Sequence, residues 1–153
     1  MTVYRLAAEK YHDDLSGNGA KLYGGRWNEP GLPALYCTDS IALAVLEILV
    51  RTGLEFLPPN HFLLTLQVPE KTSLRKISLV KLKQGWKHDL EYTQWMGTEF
   101  LRNNKYAVLE VPSAIVDASS NFLLNPLHPD YKKISLTSSQ PFEFDKRLFL
   151  KNE

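Results

Sequence analysis

From Ile41 to Val50 every position is apolar except Glu47. The spacing of Ile41, Ala44, Val45, Ile48 and Leu49 predicts a helix with one main buried stripe, while Leu43, Leu46 and Val50 cover a second face. A helix apolar on nearly every face is expected to be buried. A carboxylate there is costly unless something pairs with it or uses it. Thr38 or Asp39 is placed to cap the start of this helix, and Gly53 to end it.

The rest of the chain divides around that helix. Thr2–Ala7 reads as an opening strand carrying Tyr4 and Arg5, and Tyr11–Asn28 as a long loop with turn chemistry at SGNG. Ala34–Thr38 is a short strand, and His61–Val68 a longer one after Pro58-Pro59. Lys71–Lys83 is basic and mixed, a surface segment. Trp86–Asn103 has helical spacing of Tyr92, Trp95, Met96 and Glu99, followed by a strand at Tyr106–Val111 that Ile115–Ala118 would extend. Asn121–Pro129 reads as a loop tied by two prolines, with late strands at Ile134–Leu136 and Phe142–Leu150. These elements predict a single α+β domain over the whole chain: mixed, mostly antiparallel sheets with helices packed on them.

Composition narrows the classes. At 153 residues, with 44% apolar and 23% charged residues, one domain with a sizeable core is expected. A formal net charge of +1 gives no basic field for direct nucleic-acid binding. The single Cys37 excludes an internal disulfide framework and fits a reducing cytoplasm. The N-terminus has no apolar core of a signal peptide, and the longest apolar run is too short to span a bilayer.

Few chemistries survive inspection. Gly24–Asn28 (GGRWN) is neither a P-loop nor a dinucleotide fingerprint, though paired glycines before an arginine allow close approach of backbone to a ligand. Arg26 offers a planar fork suited to phosphate or carboxylate. Trp27 is expected in the core. Arg5, inside a strand, reads as a partner for Glu47, an anion clamp, or both. Tyr36 ends the strand that feeds the helix, where an aromatic could stack on a flat ring or simply join the core. His12, His61, His88 and His128 lack metal-ligand spacing, so no metal site is expected, and Ser113 lacks a nucleophile elbow. Two arginines, an aromatic and an acid suit an anionic ligand carrying a flat ring.

With those residues assembled, the chain resembles the RES-domain family, the toxin half of RES–Xre toxin–antitoxin modules. The resemblance is carried by Tyr4-Arg5, Gly24-Gly25-Arg26-Trp27-Asn28 with Gly31, and Tyr36 followed by Glu47. Further on come Gln94 and Gly97 in QWMG, Val111-Pro112-Ser113-Ala114, and Asn125-Pro126-Leu127-His128. It implies a fold related to mono-ADP-ribosyltransferases and an activity that consumes NAD+ as substrate, with no further cofactor. By position it implies Glu47, Tyr36 and Arg5 as catalytic residues, with Arg26, Tyr4, Gly25, Asn28 and Ser113 binding substrate. A carboxylate beside the ribose stabilises the oxocarbenium character that builds as nicotinamide leaves, and it can also activate the incoming nucleophile. Arginines match the pyrophosphate, Tyr36 would stack on nicotinamide, and Ser113 would bond the ribose, fix Glu47 or close a turn. The implied partner is an Xre-family helix-turn-helix antitoxin that blocks the active site, in a complex that admits a toxin homodimer.

Two departures from the wider transferase pattern matter. Arg5 stands where many such enzymes place a histidine. Val45 stands two residues before Glu47, so the ExE or QxE motif of arginine-modifying transferases is missing. The departures favour water or phosphate as acceptor over protein. A protein mono-ADP-ribosyltransferase and a non-catalytic nucleotide- or partner-binding domain are the alternatives.

Overall fold

A computed structural model describes residues 1–150. Seven strands form one sheet in the order β4-β5-β6-β2-β1-β3-β7. They are β1 (Thr2–Ala8), β2 (Leu35–Thr38), β3 (His61–Gln67), β4 (Leu74–Lys76), β5 (Val108–Pro112), β6 (Ser120–Leu124) and β7 (Ser135–Phe142). All neighbours are antiparallel except β4 with β5. Three α-helices accompany them: α1 (Asn18–Tyr23), α2 (Ile41–Thr52) and α3 (Leu90–Asn103). The α+β architecture and the mostly antiparallel pairing are as expected.

Alternation along the strands sends side chains to two faces. Val3, Ala7, Leu35, Cys37, Leu64 and Phe122 build one core. On the opposite face, α3 and the Trp27 loop cover Leu109, Val111 and Leu123, while α2 covers Leu6 through Ala44 and Ile48. Between β1 and β2 only Tyr4 and Thr38 are in register, so the sheet is loosely joined at its centre. Tyr4 and Arg5 on β1 and Tyr36 on β2 lie beside that gap.

The helix α2 is capped by Ser40, one residue after Asp39 and two after Thr38, the two expected caps. Ser40 accepts from the Leu43 N–H, while Thr38 donates to backbone carbonyls and Asp39 accepts from the Ser120 N–H. Gly53 ends the helix as expected, with φ of 79°. The expectation of all-round burial fails: Leu43, Ala44, Ile48 and Leu49 are buried, whereas Val50 is 68% exposed and Ile41 and Leu46 face outward. Apolar residues on a helix need not all find a partner.

Other expectations are corrected where tertiary contacts overrule local pattern. The Tyr11–Asn28 segment is not all loop: α1 forms there, its last carbonyls taken by Gly24 N–H, Gly31 N–H and the Asn28 side chain. The Trp86–Asn103 helix is a 3-10 turn at Trp86–His88 followed by α3, which Asp89 caps. Lys71–Lys83 is not purely surface, since it holds β4 and buries Ile77 and Leu82. Ile115–Ala118 does not extend the sheet, because Ser113 Oγ accepts from the Ile115 and Val116 N–H groups and turns the chain back. The start of the expected Asn121–Pro129 loop is the interior strand β6, paired on both sides. A strand buried this way shows an apolar run rather than alternation. The first late strand is β7, an exposed edge rich in Ser and Thr that runs on to Phe142, and the second, expected over Phe142–Leu150, does not form. Beyond β7, Phe144 and Phe149 pack into the α2 core, with a 3-10 turn at Lys146–Leu148.

Candidate active site

The glycine-rich loop is built around Tyr36. Its hydroxyl donates to Asn28 Oδ1 (2.7 Å) and accepts from the Trp27 N–H (3.0 Å). Gly25 lies against the same hydroxyl, where an added Cβ would stand 2.6 Å from it. Burial raises the Tyr36 pKa, so the phenol keeps the proton it donates. Asn28 is fully buried and its amide is spent on the carbonyls of Ala20 and Glu29. Gly25, Asn28 and the Tyr36 hydroxyl therefore shape the loop from within.

The outer side of the loop is clamped by α3. Gln94 Nε2 donates to the Gly25 carbonyl (2.9 Å), and Thr98 Oγ1 accepts from the Glu29 N–H (2.9 Å). Trp27, 1% exposed as its core expectation required, packs against Trp86 with ring centroids 5.7 Å apart. Held this way, Arg26 donates from Nη1 to the Lys87 carbonyl (3.0 Å), and Lys87 forms an ion pair with Asp117. Burial is the largest influence on the Tyr36 hydroxyl, and the charges of Arg26 and Glu47 act on it in opposite senses.

Glu47 is half-buried on α2, and Asn121 Nδ2 donates to its Oε1 at 2.7 Å. Arg5 does not pair with it: no salt bridge joins them among the described residues. Instead Arg5 Nη1 donates to the Tyr36 carbonyl (3.1 Å), filling the gap between β1 and β2, and its buried Nε has no partner. Desolvation by burial lowers the Arg5 pKa, with Arg51 acting in the same sense and Cys37, Asp14 and Tyr131 against it. Tyr4 sits beside it on β1, opposite Thr38, and is half-buried. Ser113 is fully buried, and its hydroxyl oxygen accepts the two backbone N–H groups of its turn.

Sequence reading gave no role to Gln94 or Gly97, although both stood in a quoted motif, and it placed Asn121 in a loop. Asn121 carried no local signal; only the pairing of β6 with β2 brings it to Glu47.

Comparison with known proteins identifies the family. The RES domain family model matches residues 2–145. "Toxin Res" of Photorhabdus laumondii is 39% identical over 152 residues, covering 97% of each chain. The "Prs ADP-ribosylating toxin" of Sphingobium sp. (strain YBL2) is 38% identical over 145 residues, 91% of this chain and 89% of the relative. The "NAD(+) phosphorylase MbcT" of Mycobacterium tuberculosis is 46% identical over 48 residues, 31% of this chain and 25% of that protein. In its crystal structure, as the MbcT–MbcA toxin–antitoxin complex, a chain superposes with a TM-score of 0.75 at 23% identity, over 92% of this chain and 83% of that one. The fold is shared, and this chain belongs to the RES-domain family.

Proposed function

We propose that this chain is the toxin of a toxin–antitoxin pair and degrades NAD+ by breaking the nicotinamide–ribose bond. One observation carries the reading: the charges of Arg26 and Glu47 both reach Tyr36, whose carbonyl Arg5 holds, and none of the three has an ion-pair partner among the described residues. Unpaired charges held inside a fold are costly, and NAD+ offers each of them a match. The pyrophosphate suits the arginines. The cationic ribose that forms as nicotinamide leaves suits Glu47, which can also take a proton from the attacking water or phosphate. Tyr4 is assigned to substrate by its place in the motif, Ser113 closes the turn after β5 with its buried hydroxyl, and Tyr36, Gly25 and Asn28 hold the Arg26 loop in place. The relative named as an NAD(+) phosphorylase supports phosphate as an acceptor. Purified protein with NAD+ should release nicotinamide, faster with phosphate if phosphorolysis is the route. Intact NAD+ in all conditions would sink the enzyme reading and leave a binding domain.

A second reading has its own support: the Sphingobium relative, similar over nearly its whole length, is named as an ADP-ribosylating toxin. Label transferred from NAD+ to a protein acceptor would promote it. Val45, two residues before Glu47, argues against arginine as the modified side chain.

Control should come in trans, by an Xre-family helix-turn-helix antitoxin that places a segment, such as a chain-terminal carboxylate, among Arg5, Arg26 and Tyr36. That partner would supply the DNA binding for which this near-neutral chain has no field. A toxin homodimer within the complex and a cytoplasmic setting fit the same reading. No helix among the described residues is long and apolar enough to cross a membrane. Antitoxin and NAD+ should compete, and a ternary complex with both affinities unchanged would place inhibition elsewhere.

A further inference from the structure

We propose that Asn121 is the positioning residue of the reaction: its carboxamide fixes the Glu47 carboxylate without neutralising it. The inference rests on the reading of Glu47 given above. Asn121 lies on β6 at the centre of the sheet, in register with Thr38 on one side and Val111 on the other, and is 9% exposed. Its Nδ2 donates to Glu47 Oε1 at 2.7 Å. The direction of that bond is forced, because an ionised carboxylate only accepts.

The other end of the amide shows what the contact costs. Asn121 Oδ1 is buried with no hydrogen-bond partner. Buried amide oxygens are rarely left this way, so the side chain is oriented by Glu47 and not by a satisfied network of its own. The preceding residue, Ser120, donates its N–H to Asp39 Oδ2 at 2.7 Å, beside the Ser40 cap of α2. Two successive positions of β6 thus tether the start of the helix and its acid. The choice of amide is chemical. Lysine or arginine in that place would hold the carboxylate equally well but would cancel the charge that a cationic ribose needs. A neutral donor holds geometry and keeps charge.

The experiment measures kcat and KM for nicotinamide release, with thermal unfolding, in wild type, Asn121→Leu and Asn121→Asp. Asn121→Leu keeps the volume and removes the donor. A carboxylate free to move by about 1 Å should lower kcat by roughly ten- to a hundredfold, with KM little changed. Asn121→Asp sets two carboxylates at hydrogen-bond distance, where a single proton is shared. Its activity relative to wild type should rise from about pH 8 to about pH 5 as that proton restores the bond. A purely structural residue would not give that pH signature. Unchanged kcat in Asn121→Leu overturns the proposal, as does an Asn121→Asp profile parallel to wild type, which is readable even if the leucine variant does not fold. Wild-type protein inert toward NAD+ is a separate outcome and sinks the proposed function itself.

Discussion

Gly97 on α3 lies so close to Trp27 that a Cβ added there would stand 1.6 Å from the Trp27 carbonyl oxygen. The helix packs directly on the backbone of the Arg26 loop, between the Gln94 and Thr98 contacts one turn apart. Gly97→Ala must push that loop away. Overpacking of this kind costs about 1–3 kcal/mol, and it should also weaken NAD+ binding through displaced Arg26. Unfolding and binding measurements check both; an alanine variant as stable and as active as wild type would contradict the clamp.

Glu47→Gln should separate charge from shape. The glutamine carbonyl can still accept from Asn121, so the melting temperature should hold. Turnover should fall by about two to four orders of magnitude if the carboxylate stabilises the ribose cation and moves a proton. A variant that unfolds while its folded fraction keeps full activity would make Glu47 a structural residue.

The two arginines should differ. Arg26→Ala removes a loop side chain whose one hydrogen bond goes to the Lys87 carbonyl, so affinity for NAD+ should drop with little loss of stability. Arg5→Ala removes a buried guanidinium that bridges β1 to the Tyr36 carbonyl, so affinity and stability should both fall. Each lost charge-assisted bond is worth roughly 1.5–3 kcal/mol. Titration of NAD+ into each variant beside its melting curve tests the split, and unchanged binding by Arg26→Ala would remove it from the site.

Cys37 should be inert in the native state. Burial pushes its thiol from 9.0 up to about 12, and burial also raises the Tyr131 hydroxyl to about 12. Both groups are protonated more strongly when folded, so their stabilising effect is complete below the unfolded values and is lost as pH rises towards about 12. Stability should therefore decline on the alkaline side from about pH 9, and a thiol reagent should label Cys37 only in denaturant. Rapid stoichiometric labelling of folded protein at neutral pH would show an open thiol.

Local pattern was enough for the elements whose residues contrast with their flanks. The stripe through Ala44 and Ile48, the strands holding Arg5 and Tyr36, and the stop at Gly53 were all legible, because periodicity and glycine conformation act within a few residues. The order of motifs also carried the family. Tertiary structure decided the rest. β6 hid behind an apolar run because both its faces and both its edges are buried, and with it the bond from Asn121 to Glu47. α1 forms where distant donors take its last carbonyls. The Tyr36 hydroxyl is a hub for Trp27 and Asn28, and of the two readings of Arg5 the pairing with Glu47 gives way to a bond with the Tyr36 carbonyl. Hydrogen bonds between residues dozens of positions apart leave no period in the sequence. They exist only once the sheet has set its register and the helices have docked on it.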